Sequence, residues 1–172
     1  MKNLSIAQSK GIVQQKPEKL CLEGKKWMVE NFKGKHDLLV DDTYIQQSVN
    51  IYQCDDCVLT VKGKVNSITV DKCKKFGIVF DSIVSFVEFI NCRQIKAQAM
   101  ESVPTITIDF TDGVELYLGK QSMNVEIISS KSSSINVSVP ESNGDYVEHP
   151  IPEQLKSTWN VKGFHTEPIS KN

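Results

Sequence analysis

The chain has 172 residues, enough for one domain with a core of its own. Its 20 basic and 21 acidic residues leave a formal net charge of −1. That balance argues against non-specific binding to nucleic acid or to anionic membrane, both of which need a basic excess, and no apolar run is long enough to cross a bilayer, since even 78–90 is interrupted by Asp81 and Glu88.

Taken in order, residues 1–19 are polar, with Gln14-Gln15-Lys16-Pro17 near their end, and read as a flexible lead-in. The stretch from Met1 to Ala7 has one Lys and too short an apolar run for a signal peptide. Five Cys follow, at 21, 54, 57, 73 and 92; with an odd count and no leader, reduced thiols in the cytoplasm are expected rather than a disulfide framework.

From Leu20 to Val139 the chain is rich in Val, Ile, Phe and Thr in short alternating runs, punctuated by Gly, Asn, Asp and Ser, which is strand-and-turn chemistry. Apolar residues recur at a period of nineteen. One column runs Ile51, Val70, Phe89, Ile108, Ile127; another runs Val49, Ile68, Val87, Ile106, Val125. A second strand gives Leu59, Ile78, Ala97, Leu116, Ile135 and, two residues on, Val61, Phe80, Ala99, Leu118, Val137. A shorter third face gives Val65, Val84 and Val103, and the pattern extends more weakly upstream to Phe32, Leu38 and Val40. With 40% of the chain hydrophobic, such columns do not arise by chance alignment.

A fixed period near twenty means a solenoid, and the leucine-rich signature of that length class is absent. Three faces per repeat predict an all-β, right-handed parallel β-helix over 20–139, with coils of about 19 residues whose inward columns stack into ladders. The column Cys54, Cys73, Cys92, Thr111, Ser130 predicts a small inward residue at a tight corner. It also removes Cys54-x-x-Cys57 as a metal site, because zinc normally needs four N or S ligands and His36, His149 and His165 form no ligand motif. The pairs Asp41-Asp42 and Asp55-Asp56 fit solvated corners, and no nucleophile elbow, P-loop or dinucleotide fingerprint occurs, so neither an enzyme nor a cofactor is expected. Residues 140–172 break the repeat, carry four of the six Pro, and end with Trp159 and Phe164.

Several stretches fall in the order found in one family: Leu22-Glu-Gly-Lys-Lys-Trp27 with Val29-Glu-Asn31, Lys62-Gly-Lys64 with Asn66-Ser-Ile-Thr-Val70, and Cys73-Lys-Lys75. Val79-Phe-Asp81, Val103-Pro-Thr-Ile106, Lys131-Ser-Ser133 and Pro150-Ile-Pro-Glu-Gln154 with Trp159 continue the series. On these motifs residues 20–160 resemble the C-terminal domain of cyclase-associated protein. The resemblance implies a domain that binds ADP-loaded actin monomers, helps exchange ADP for ATP, works at the cytoplasmic actin cytoskeleton, and dimerises by exchanging strands through its C-terminal segment. The family's helical N-terminal domain, polyproline tract and short basic actin-binding helix have no match in these residues, so functions carried by those parts are not expected here.

The actin-facing candidates are the outward basic positions Lys62 and Lys64, then Lys72, Lys74 and Lys75 around Cys73, Arg93 one coil later, and Lys131 with Ser132 further along. The dimerisation candidates are Tyr146, Val147, Pro150, Ile151, Pro152, Leu155, Trp159 and Phe164. An alternative is a GTPase-activating or scaffold β-helix similar to tubulin cofactor C, whose motif places Arg two residues after Gln; here Gln94-Ile95-Lys96 puts Lys in that place, without the planar fork that bridges phosphate oxygens. A polysaccharide-active β-helix would need clustered outward Asp, Lys and Arg, whereas Asp71 and Asp109 are separated by Ile90.

Overall fold

The structure, a computed structural model, describes residues 16–169. The lead-in residues 1–15 and the last three of the tail lie outside the described residues, while Lys19, placed in the lead-in by the sequence, already opens the first strand. Fourteen strands are described: β1 (Lys19–Glu23), β2 (Lys26–Glu30), β3 (Leu38–Val40), β4 (Ser48–Tyr52), β5 (Asp55–Asp71), β6 (Lys74–Ile90), β7 (Arg93–Ala99) and β8 (Thr105–Asp109), then β9 (Asp112–Leu118), β10 (Glu126–Ser130), β11 (Ser133–Pro140), β12 (Tyr146–Pro150), β13 (Leu155–Asn160) and β14 (Gly163–Pro168).

Parallel pairing between successive coils makes a β-solenoid. One face stacks β2, β4, the C-terminal half of β5, the C-terminal half of β6, β8 and β10. The other stacks β3, the N-terminal halves of β5 and β6, then β7, β9 and β11. Alternation along each strand sends every second side chain into a shared interior, where Phe76, Phe80, Phe89, Ile51, Leu59, Ile68, Ile78 and Ile106 are fully buried. No coil can bury its own inner face, so stability resides in the stacking.

The nineteen-residue step holds in the middle of the stack, for example Val49↔Ile68, Val87↔Ile106 and Ala97↔Leu116. It fails in three places. In the last coil the step is 21: Ile127 lies beside Ile106, not Ile108; Ile135 lies beside Val114, not Leu116; and Val137 lies beside Leu116. A 3-10 turn at Lys120–Ser122 supplies the extra length. Two added residues preserve the alternation, so Ile135 and Val137 stay inward although their column partners change. In the first coil the step is 21 or 22, with Val29 beside Ile51 and Val40 beside Val61, and Phe32, immediately before the Lys33↔Asp55 bridge, is buried level with Cys54 rather than in the Ile51 column. On the third face Val84 points outward, 40% exposed, and Ile83 takes the inward place between Val65 and Val103. The cause is a pair of compensating bulges: β5 holds one extra residue near Lys62-Gly63, and β6 regains it at Val84-Ser85.

Antiparallel strands close one edge at each end. β1 pairs with β2, and β12 pairs with β11 from Asn136↔Pro150 to Pro140↔Tyr146. β10 has β8 as its one partner among the described strands, so its far edge is open. β13 and β14 form a separate two-stranded hairpin.

Candidate functional site

The corner from the first face to the second is built the same way from the second coil onward, while in the first coil Asn31 (φ 64°) is followed by Phe32. The residue before the bend has positive φ: Gln53 (53°), Lys72 (54°), Asn91 (54°), Phe110 (49°) and Lys131 (48°). The next residue turns a small donor inward onto the carbonyl two residues back. Cys73 Sγ donates to Asp71 O (3.4 Å), Cys92 Sγ to Ile90 O (3.2 Å), Thr111 Oγ1 to Asp109 O (2.9 Å) and Ser132 Oγ to Ser130 O (2.8 Å). Three of these atoms also accept a backbone N–H from the coil before: Cys54 N–H to Cys73 Sγ (3.4 Å), Cys92 N–H to Thr111 Oγ1 (3.2 Å) and Thr111 N–H to Ser132 Oγ (3.1 Å). The ladder therefore ends on Ser132, not on Ser130, because of the 21-residue step. Ser132, expected on the binding surface, spends its hydroxyl inside the corner.

All five Cys are free thiols, and among the described residues no cluster of His, Cys, Asp and Glu could hold a metal. The Cys73 thiol, deeply buried between its neighbours, is pushed far above the ordinary range by its hydrogen bonds with the Cys54 and Cys92 side chains and by burial. Burial likewise raises the Cys57 thiol.

Because the thiols and hydroxyls point inward, the flanking residues line the outside of the corner. Lys72, Lys74, Arg93 and Lys131 meet there around an open cavity of about 580 Å³, with Phe110 and Asp112. Lys72 Nζ lies 5.3 Å from the centroid of the Tyr52 ring and donates to its hydroxyl (3.3 Å); that hydrogen bond holds the ammonium above its ordinary range. Lys131 Nζ lies 4.8 Å from the centroid of Phe110. Lys75, itself at positive φ (48°), is exposed but outside this cavity.

Lys62 and Lys64 stand at a different corner, where the second face gives way to the third. Gly63 between them has φ 86°, its N–H donates to Asp81 Oδ2 (2.7 Å), and Thr43 Oγ1 donates to Lys62 O (2.6 Å). The basic candidates thus divide into two groups. Lys96, in the place of a catalytic Arg in the tubulin cofactor C motif, is paired with Glu115 (3.4 Å) and lies over Tyr117 (5.1 Å), committed to its own sheet.

The C-terminal candidates also divide. Tyr146, Val147 and Pro150 belong to β12 and pair with their own chain, Ile151 N–H donates to Ile135 O (2.9 Å), and Tyr146 packs edge-on against Tyr117 at 5.8 Å. Pro152 follows this pairing in an exposed connection. By contrast Leu155, Trp159 and Phe164 sit on the separate hairpin, where Trp159 and Phe164 stack edge-to-face at 5.3 Å yet remain 64% and 72% exposed.

The chain matches, over residues 16–171, the family described as "Adenylate cyclase associated (CAP) C terminal". It belongs to that family. Among curated relatives it is 53% identical to adenylyl cyclase-associated protein 1 of Mus musculus over 144 residues, covering 84% of this chain and 30% of that protein. It is 50% identical to the Homo sapiens protein of the same name, covering 88% and 32%, and 52% identical to adenylyl cyclase-associated protein 2 of Rattus norvegicus, covering 87% and 31%. The chain therefore spans about a third of the length of these relatives. Among solved structures it is similar to a crystal structure of cyclase-associated protein from Cryptosporidium parvum, with a TM-score of 0.85 and 30% identity, covering 90% of this chain and 96% of that one.

In this CAP-family solenoid, sequence reasoning located the cations of the basic corner but missed Phe110. Its column reads Gln53, Lys72, Asn91, Phe110, and the Asn was the available sign of a left-handed backbone position at which a bulky aromatic is out of place. No helix in the described chain is long and apolar enough to cross a membrane.

Proposed function

We propose that this chain binds actin monomers, prefers those loaded with ADP, and promotes exchange of their nucleotide, acting as a homodimer in the cytoplasm at the actin cytoskeleton. The observation that carries the reading is family membership across nearly the whole chain, at about half identity to adenylyl cyclase-associated proteins. Such a protein acts by binding energy: it favours the actin state that holds nucleotide weakly, and needs no covalent chemistry or cofactor of its own.

The basic corner of Lys72, Lys74, Arg93 and Lys131, with Lys75 beside it, suits an acidic partner, and Lys62 and Lys64 form a second, separate basic group at their own corner. The hairpin supports the dimer. A two-stranded hairpin with both aromatic rings in solvent is marginal alone, and the open edge of β10, with Ile128 exposed beside it, offers backbone groups to an added strand. Leu155, Trp159 and Phe164 are the residues available for exchange, since β12 already covers its own β11.

Titration of fluorescently labelled ADP-actin and ATP-actin monomers with the chain tests the reading. Saturable binding at micromolar protein, tighter for ADP-actin, is expected; no binding to either form overturns it.

A further inference from the structure

Among the described residues, Lys74, Arg93 and Lys131 have no carboxylate within ion-pair distance. Lys74 and Arg93 are direct register partners on adjacent strands, a spacing of ~4.8 Å that sets like charges side by side, with Asp55 beside Lys74 and Asp112 beside Arg93 in the same column but neither within ion-pair distance. The acid one coil further on, Asp112, accepts from Ser133 Oγ (2.7 Å) and does not bridge to Arg93. With Lys72, four cations thus face one cavity in a protein whose net charge is −1.

The corner is a wide, shallow concavity of about 580 Å³, open to solvent along one side and broad enough to admit a small anion. A compact anion of several charges would relieve the Lys74–Arg93 repulsion, and phosphoryl oxygens match the planar fork of Arg while carrying several charges in a small volume. Phe110, 56% exposed and held at positive φ, stands at the rim with Lys131 over its ring. We infer that this corner is a binding site for a small polyphosphorylated anion. The inference uses the surface proposed to meet actin but does not rest on that reading, since it concerns the chain alone.

Isothermal titration of the intact chain with inorganic tripolyphosphate, and separately with ATP, at low ionic strength tests it. Saturable binding that weakens with added salt is expected, falling at least ~10-fold in Lys74→Ala/Arg93→Ala. The charge-matched variant Lys25→Ala/Lys35→Ala, altered at exposed turns away from the corner, should bind as the parent does. Equal affinity for the two probes assigns recognition to the phosphate chain; tighter ATP binding that is lost in Phe110→Ala assigns the added affinity to stacking of the base. Thermal unfolding of each variant shows whether it is folded. The proposal is overturned if neither probe binds saturably, or if the corner variant, still folded, binds as tightly as the control.

Discussion

At the corner each coil after the first pairs a left-handed residue with a small inward donor, and three Cys, a Thr and a Ser all serve. This gives Cys54, Cys73 and Cys92 a structural role, and it separates volume from hydrogen bonding. Cys73→Ser keeps a donor for Asp71 O and an acceptor for Cys54 N–H, so it should cost under ~1 kcal/mol. Cys73→Val fills the space but leaves the buried Cys54 N–H unpaired, while Asp71 O keeps the Gln53 N–H, and should cost ~1–3 kcal/mol; denaturant unfolding measures both, and equal losses would contradict the hydrogen-bond account. Gly63 is the other residue fixed by its backbone. A Cβ there would sit 2.6 Å from Thr43 Oγ1 at φ 86°, so Gly63→Ala should lower stability by ~1–3 kcal/mol in the same measurement. The inward identity of most residues was legible because alternation depends only on parity. Val84 and Ser130 were misplaced because a fixed count of nineteen carries no sign of a bulge or an inserted turn.

Among the elements, the two ends of the solenoid are finished differently. β1 and β12 each cover one edge as antiparallel strands, whereas among the described residues the far edge of β10 has no partner and the hairpin β13–β14 forms its own sheet. A deletion that removes residues 140–172 would strip the cover from β11 along with the hairpin, and would confuse destabilisation with dissociation. Removing 155–172 spares β12. The proposed dimer predicts that the full chain has twice the monomer mass by light scattering, and that the shorter deletion is monomeric while its unfolding midpoint changes little. A full chain that is monomeric at tens of micromolar would contradict exchange through the hairpin. The sequence marked this region as non-repeating through its Pro residues, but strand pairing is a long-range property. Nothing local distinguishes Tyr146 to Pro150, which return to their own coil, from Leu155 to Asn160, which do not.

For the whole molecule, the stack has one continuous core, and function is left to its corners, outward faces and separate hairpin. Period and composition carry the fold. They carry no partner, because a solenoid's inward columns are the same whatever its surface meets. Actin is proposed through family likeness, with the basic corner as the part of this chain that suits an acidic partner and the hairpin as the part that suits the proposed dimer. The most direct measurement is release of a fluorescent ADP analogue from actin monomers in excess ATP. The account predicts that the chain accelerates release in a saturable manner, and that Lys74→Ala/Arg93→Ala reduces the acceleration at sub-saturating protein. Unchanged release at concentrations well above those that bind ADP-actin would contradict it.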